Sequence, residues 1–425
     1  MAKQVSFLTL GCAKNEVDSA AMQQRLMRAG YRIVAVDEPS DVVVVNTCSF
    51  IQPAIEESLD AIFDIAADHA VVTGRTKLVV TGCLPSRFGD DLADELTEAD
   101  RLVPCAKEGD IVAVVDDLLG YDASALDDSL AFAFEPSEYV KISDGCDRRC
   151  SFCTIPSIRG RYHSYPYDEI AADVDQKVAA GTREIVLIAQ DSGIWGRDLS
   201  PRETLASLLA RLAERHPTTW FRVMYLQPAG MTDELLDVMA VHDNICNYFD
   251  IPLQHCDPAI LRSMNRRGSR AEMEQMVERI RHRLPDVALR TTLIVGYPGE
   301  TDEQFEELCD FVAETGFDYV GIFAYSPEDG TKAAALPDQV DDDTKQERVQ
   351  ELRDIADAAS SSRIARRVGS TMPVLVLGAE DDGQLFGRAQ SQAPDVDGVT
   401  YVEQGEVGSI VEATITDTLL YEMEA

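Results

Sequence analysis

Lys141-Ile142-Ser143-Asp144-Gly145-Cys146-Asp147-Arg148-Arg149-Cys150-Ser151-Phe152-Cys153 decides the reading of this chain, because it packs three thiols into eight residues directly after an apolar run. An extended backbone advances about 3.3 to 3.6 Å per residue, so once this loop curls its sulfurs lie a few ångströms apart. Three soft ligands that close together mark a metal site. They suit three corners of one iron-sulfur cube; such clusters are normally held by four cysteine thiolates, and a three-cysteine loop leaves one iron open to a small molecule. Two other readings stay open at this point. A structural zinc could recruit His163 as its fourth ligand, although tetrahedral sites usually come as two separated pairs. A thioredoxin-like pair could form from Cys150 and Cys153, which leaves Cys146 without a role.

Outward from the loop, the bulk properties set limits. At 425 residues the chain has room for about three domains, and 45% hydrophobic with 27% charged residues is ordinary globular composition. The start, Met1-Ala2-Lys3-Gln4-Val5, carries no signal-peptide pattern and no run reaches membrane-span length, so the expectation is a cytoplasmic protein with no membrane partner. Ten cysteines in such a chain point to metal ligands and reduced thiols more than to disulfides. The formal charge of −37 argues against a bare nucleic-acid partner, which would need a compensating basic surface, and it would steer a basic macromolecule toward the protein. Solubility, or the salt inside the host, would also account for the acidity.

Residues 1–118 alternate apolar runs with amphipathic stretches, the βα repetition of a parallel sheet. Cys12 follows Phe7-Leu8-Thr9-Leu10-Gly11, Cys48 follows Val42 to Thr47, and Cys83 follows Leu78-Val79-Val80-Thr81-Gly82. Each thus falls where a strand ends and its helix begins, the edge where open α/β sheets bind ligands and where helix amino termini favour thiolate. Three cysteines at that edge predict a second, discontinuous cluster site. Cys105, Cys246, Cys256 and Cys309 lack this placement and read as buried small hydrophobes. Residues 119–135, rich in Asp, Ser and Ala, read as a linker.

In 136–367 six strands are expected, at Tyr139 to Ile142, Glu184 to Ala189, Phe221 to Leu226, Tyr248 to Leu253, Val287 to Val295 and Tyr319 to Ala324, with helices between them. Right-handed crossovers would curl them into a partial barrel whose active face carries Cys146, although an open doubly wound sheet fits the periodicity equally. On that face Gly296 and Gly299 let backbone approach a ligand before a helix that begins near Glu300. Gln190, Asp191 and Gln254 offer hydrogen-bonding groups to an amino acid moiety or a ribose, while His255 reads equally as a core histidine. Arg148, Arg149, Arg159 and Arg161 form a basic island whose guanidinium forks suit carboxylates, with Arg159 the candidate contact to a nucleotide or acidic substrate. Arg348 to Arg367 reads as a polar helix. Residues 368–425 then carry short strands parted by glycines, the pattern of a small β-barrel of about five strands. From Met372 onward Arg388 stands alone against eleven acidic residues, a balance that would repel phosphate and attract a Lys/Arg-rich protein.

The spacing of Cys146, Cys150 and Cys153 resembles that of the radical S-adenosylmethionine enzymes. Leu10-Gly11-Cys12-Ala13-Lys14-Asn15, Asn46-Thr47-Cys48 and Gly82-Cys83-Leu84 resemble the amino-terminal domain of the methylthiotransferases within that family, and 368–425 resembles a TRAM domain. Leu10 to Asn15, Asp250-Ile251-Pro252-Leu253-Gln254-His255 and Phe323 to Thr331 are most similar to the RimO branch. The resemblance implies an α/β protein: a parallel amino-terminal domain, a central partial (β/α)6 barrel and a TRAM-like β-barrel. It implies S-adenosylmethionine and two 4Fe-4S clusters as cofactors. The first cluster, on Cys146, Cys150 and Cys153, would split the nucleotide to a 5′-deoxyadenosyl radical, and the segment 292–300 would lie against its adenine. The second, on Cys12, Cys48 and Cys83, would take part in inserting sulfur, and a second S-adenosylmethionine would give the methyl group. The implied substrate is the β-carbon of one aspartate in small-subunit ribosomal protein twelve. Partners would include an electron donor and a sulfur donor, with nucleic acid met only through the ribosome. A transfer-RNA methylthiotransferase of the MiaB type is the alternative, followed by a non-catalytic iron-sulfur factor that docks on ribosomes. Two departures stand out: Ala13 replaces the usual proline after the first cysteine, and Tyr165 stands where relatives commonly carry arginine.

Overall fold

The computed structural model describes residues 2–121 and 134–425, which divide into two compact units. Of the expected linker, residues 122–133 lie outside the described residues. The first unit joins the amino-terminal segment to the loop residues 144–149 and 153–162. Its strands β1 (Gln4–Thr9), β2 (Arg32–Val34), β3 (Val42–Thr47), β4 (Lys77–Gly82) and β5 (Arg101–Pro104) form one parallel sheet in the order β2-β1-β3-β4-β5. β3 is buried along its whole length, as a central parallel strand covered on both faces should be. Val42 and Val44 pack with Met22, Leu26 and Ile111 on one face, whereas Val43 and Val45 pack with Ile55, Ile62 and Leu84 on the other. Each buried valine contributes about 1.5 to 3 kcal/mol relative to exposure. The order reverses direction at β1 and β3, so the crevice beyond their carboxyl ends is the ligand position of this topology.

The second unit holds the six expected parallel strands. Ser137–Lys141, Glu184–Ile188 and Trp220–Val223 form one sheet, and Tyr248–Gln254, Ala288–Val295 and Tyr319–Ala324 form another. A parallel bridge between Phe221 and Ile245 continues one into the other, making the partial barrel. Val140, Ile185, Leu187, Phe221, Leu253 and Leu293 pack in one core with helix residues such as Ile170, Val174, Leu205, Leu208 and Leu212, so the helices cover this face of the strands, while the alternate positions carry the buried pairs Glu184–Arg222 and Asp250–Arg290. Two of the surrounding helices start on reciprocal caps, Thr204 with Ser207 and Thr301 with Gln304, which satisfy otherwise orphaned amide donors. The polar helix expected at Arg348 to Arg367 runs instead over Asp342–Ile364, because Asp341 accepts from the Thr344 amide at 2.9 Å and starts it earlier. A short 3-10 turn continues to Arg367.

The carboxyl-terminal segment forms one sheet of six strands, one more than expected, in the spatial order Ile410–Thr414, Thr371–Ala379, Leu385–Ala389, Thr400–Val402, Glu422–Glu424, Asp417–Leu419. Arg388 reaches from this sheet to Glu184 at 2.5 Å, where Arg222 also binds at 2.8 Å. All three side chains are buried, so the one cation in 372–425 is an internal bond to the barrel. No helix among the described residues is long and apolar enough to cross a membrane.

Candidate functional site

The three strand-end cysteines of the first unit sit on one laced edge. β1 runs into Gly11, whose φ of +98° and missing Cβ are both required; an added Cβ would lie 2.6 Å from the Cβ and 3.1 Å from the Sγ of Cys48. Cys12 then caps the helix Ala13–Arg28 through its carbonyl and is exposed. Cys48, buried beyond β3, is held by Ser58, which accepts from its amide at 3.1 Å and donates to its carbonyl at 2.9 Å. Cys83 opens the helix Cys83–Glu95 after Gly82, where a Cβ would come within 2.3 Å of Asn46 Oδ1.

Asn15 ties these ends together. Its amide nitrogen donates to Leu10 O at 2.8 Å and Thr47 O at 2.9 Å, while its Oδ1 accepts from Arg159 Nη2 at 2.8 Å and lies 3.9 Å from Cys83 Sγ. Arg159 is 3% exposed, binds Asp18 at 2.5 Å and approaches Cys83 Sγ to 3.9 Å. Burial works against its charge, but Asp18, the Cys105 and Cys83 thiols and Asp144 outweigh that and hold the guanidinium firmly protonated. Burial pushes the Cys48 thiol up, the Phe50 amide opposes this, and the nearby Cys12 adds to it. An apolar wall behind a thiol favours a neutral ligand or a metal over a bare thiolate.

Cys105 corrects the sequence reading. It follows the short strand β5, at the same edge as the other three, is half-buried, and hydrogen-bonds with Cys83; that bond, then burial, raises its pKa. The strand-end rule would have found it had Arg101-Leu102-Val103-Pro104, which ends on a proline, been recognised as a strand. Cys246, Cys256 and Cys309 are buried, as expected.

The eight-residue loop is pinned at separate points. In the first unit, Cys146 N donates to Gly160 O at 3.1 Å, and a Cβ on Gly145 would lie 2.2 Å from Arg161 O. Arg161 is 95% exposed whereas Arg159 is buried, so the expected basic island does not form a single solvated face. In the second unit, Ser151 donates from its amide to Met264 O at 3.1 Å and from its hydroxyl to Ser263 O at 2.9 Å, with Tyr297 OH 2.8 Å away. Arg266, which the sequence did not single out, donates to Gln227 and Pro252 and comes within 3.9 Å of Cys150 Sγ. A cation beside a cysteine stabilises its thiolate, the form that binds iron.

At the carboxyl ends of the barrel strands, Gln190 Oε1 and Gln254 Oε1 are buried without a hydrogen-bond partner, and Gln254 adopts a φ of +74°. Two orphaned acceptors there fit a ligand that carries ammonium or hydroxyl donors. Asp191 is fully buried. Gly296 (φ +69°) leaves no room for a Cβ beside Lys345, whereas Gly299 (φ +81°) faces open space. Glu300 is turned inward: it accepts from Tyr297 N at 3.2 Å and from Arg348 at 3.0 Å, and burial raises its pKa against the pull of those donors. It braces the loop. His255 is a core residue, its Nδ1 accepting from Asp257 N at 3.0 Å, and burial pushes it down to about 4.

Three family models match the chain: the Radical SAM superfamily over residues 140–312, the TRAM domain over 368–425, and the uncharacterized protein family UPF0004 over 4–104. The ribosomal protein uS12 methylthiotransferase RimO of Syntrophus aciditrophicus is 41% identical to it, over 99% of this chain and 97% of that protein. The chain belongs to the RimO family. The RimO protein of Geobacter sulfurreducens is 40% identical over 99% of this chain and 98% of its own length. Among solved structures, the radical S-adenosylmethionine methyltransferase TsrM from Kitasatospora setae superposes with a TM-score of 0.55 at 14% identity, covering 78% of this chain and 74% of that one, which is a likeness of fold.

As a RimO-family member and radical SAM protein, the chain uses S-adenosylmethionine and a 4Fe-4S cluster. Among the described residues no three His, Cys, Asp or Glu side chains converge on one point. A cube spreads its thiolates over several irons and does not need them gathered on one point. The donor sets fit: each trio is cysteine alone, and Gly11 and Gly82, which have no room for a Cβ, let the backbone before Cys12 and Cys83 pack closely against Cys48, Asn46 and Thr47.

Proposed function

We propose that this chain methylthiolates the β-carbon of an aspartate in small-subunit ribosomal protein uS12. Cys146, Cys150 and Cys153 would hold the 4Fe-4S cluster that supplies radical chemistry, and Cys12, Cys48 and Cys83 would hold a second that supplies sulfur chemistry. When bound, the clusters and S-adenosylmethionine supply the 5′-deoxyadenosyl radical, the sulfur and the methyl group, chemistry that side chains cannot perform alone. The observation that carries the reading is the second cysteine trio, gathered around Asn15 from three strand ends in a chain of this family.

The residues of the chain bind and orient. Gln190 and Gln254 take the donors of the nucleotide, beside Asp191 and the loop of Gly296 and Gly299 that Glu300 braces. Arg266 lies 3.9 Å from Cys150 Sγ and orients that end of the loop, and Arg159, reassigned from nucleotide contact, sits against Cys83. The domains divide as 1–118, 136–367 and 368–425, with 119–135 as linker, and the protein works in the cytoplasm. Glu380, Asp381, Asp382, Glu403, Glu406 and Glu412 are exposed on a module whose arginine faces inward, which favours a basic protein over an RNA backbone as the substrate it meets. An electron donor and a sulfur donor complete the cycle.

Anaerobic reconstitution with reductant should yield 5′-deoxyadenosine, lost in Cys150→Ala. Mass spectrometry of uS12 and of digested tRNA from a strain lacking this gene should show the aspartate unmodified and tRNA unchanged. Loss of methylthioadenosine with intact uS12 modification would transfer the chain to the MiaB type. No nucleoside from the wild type would leave the non-catalytic factor.

A further inference from the structure

On the barrel edge opposite the strand carboxyl ends lies a cavity of about 490 Å³ that no part of the methylthiotransferase reading uses. Asn247, Val287 and Asp318, each next to the first residue of a parallel strand, line it together with Arg363, Arg366, Arg367 and Ser391. Asp318, 1% exposed, is fixed by the Leu289 amide at 2.9 Å and holds Arg367 at 2.6 Å and Arg363 at 3.5 Å. Arg366 is exposed and has no ion pair among the described residues. Behind them Arg281 is anchored on the carbonyls of Thr315 and Gly316 at 2.7 and 2.6 Å. Burial, then repulsion from Arg363, pushes it down to about 10 against the attraction of Asp318, with Arg366 adding to the fall. Asp286 at the rim is the other carboxylate of the cavity.

Three buried atoms here have no hydrogen-bond partner: Arg367 Nη1, Asn247 Oδ1 and Ser391 Oγ. Buried polar atoms left unpaired cost about 1 to 3 kcal/mol each, so a ligand or ordered water must meet them. A planar guanidinium asks for a phosphate or carboxylate oxygen. An amide oxygen and a hydroxyl without partners ask for donors in addition to the anion that the guanidiniums take; a sugar carries several hydroxyls beside its phosphate, whereas inorganic phosphate has only its own P–OH groups. We propose that this cavity binds a phosphorylated ribose unit, the phosphate on Arg363, Arg366 and Arg367 and the sugar hydroxyls on Asn247 and Ser391. A free sugar phosphate and one residue of an RNA chain share that chemistry.

The test is calorimetric titration of the full chain, kept saturated with S-adenosylmethionine, with ribose 5-phosphate, inorganic phosphate and a short single-stranded RNA. Saturable binding of ribose 5-phosphate, tighter than of inorganic phosphate and weakened at least tenfold by Arg366→Ala, is the expected result. If the RNA alone binds and the same variant abolishes it, the ribose phosphate comes from a chain; if ribose 5-phosphate alone binds, it is free. Arg366 is exposed, so its variant should unfold at the wild-type temperature, and Ser391→Ala should loosen ribose 5-phosphate severalfold without touching inorganic phosphate. Absence of saturable binding by either ribose phosphate, or binding indifferent to both Arg366→Ala and Ser391→Ala, would overturn the assignment.

Discussion

Replacing Glu184 with glutamine removes the anion between two buried guanidiniums, and the structure sets the size of the effect. Glu184 is fully buried, with Arg388 at 2.5 Å, Arg222 at 2.8 Å and the Ser137 hydroxyl at 2.8 Å. Burial would raise its pKa, but Arg388 and Arg222 overcome this and hold it down to about 2 from 4.5. At about 1.4 kcal/mol per unit, that difference corresponds to about 3 kcal/mol at neutral pH. Breaking a buried pair by removing one partner costs about 3 to 5 kcal/mol, which agrees. The folded-state pKa is depressed, so this stabilisation is complete above pH 4.5 and disappears as pH falls toward about 2. A chain of two units need not unfold in one step, so the assay is hydrogen exchange at the amides of Leu385–Ala389 rather than a melting curve. Glu184→Gln should speed that exchange by about two orders of magnitude, because 1.4 kcal/mol is about tenfold. Adding Arg388→Met should recover part of the loss, since the charge left stranded is then gone. Exchange within threefold of wild type in Glu184→Gln would refute the reasoning.

Three further outcomes follow from the same geometry. Gly11→Ala, which forces a side chain into a φ of +98° and against Cys48, should lower the iron and sulfide held by the cluster proposed at the amino-terminal trio and leave the one proposed at Cys146, Cys150 and Cys153 intact; chemical iron counting on Gly11→Ala in a background lacking Cys146, Cys150 and Cys153 checks the loss, and in a background lacking Cys12, Cys48 and Cys83 the retention. Asp397 is raised to about 6 from 3.8, chiefly by burial and against Arg290, so the folded state holds its proton more tightly and stability should fall as pH rises from 3.8 to 6. Asp397→Asn should remove that slope, measured by hydrogen exchange at the amides of Thr400–Val402, corrected for the intrinsic rate at each pH across the window. Arg266→Met should make the cluster proposed on Cys146, Cys150 and Cys153 harder to reduce, read as a lower midpoint potential in an anaerobic redox titration, because the cation 3.9 Å from Cys150 would favour the added electron.

Sequence periodicity located all six barrel strands and the strand-end positions of Cys12, Cys48 and Cys83, because continuous branched runs such as Val42 to Val45 have one physical outcome: a strand covered on both faces. What it missed depended on long-range partners. Arg159 read as a contact to a nucleotide or acidic substrate until the fold set it against Asp18 and Asn15, and Arg266 was invisible because its relation to Cys150 spans 116 residues. Cys105 escaped through a strand of only four residues. Arg388 was counted as the lone surface cation of its module, and nothing local could reveal that Glu184, 204 residues earlier, had already claimed it.

That inward arginine has a consequence for where the protein can work. From Met372 onward the exposed carboxylates, Glu380, Asp381, Asp382, Glu403, Glu406 and Glu412 among them, have no exposed cation in the same segment, and the reach of their field is set by the surrounding electrolyte. In about 0.15 M salt the field extends roughly 8 Å and can draw in a lysine-rich tail before contact, but in about 1 M salt it dies within roughly 3 Å. In a salt-loaded cytosol the same carboxylates would serve chiefly to hold water around the fold, and recognition would fall to shape and hydrogen bonds at touching distance.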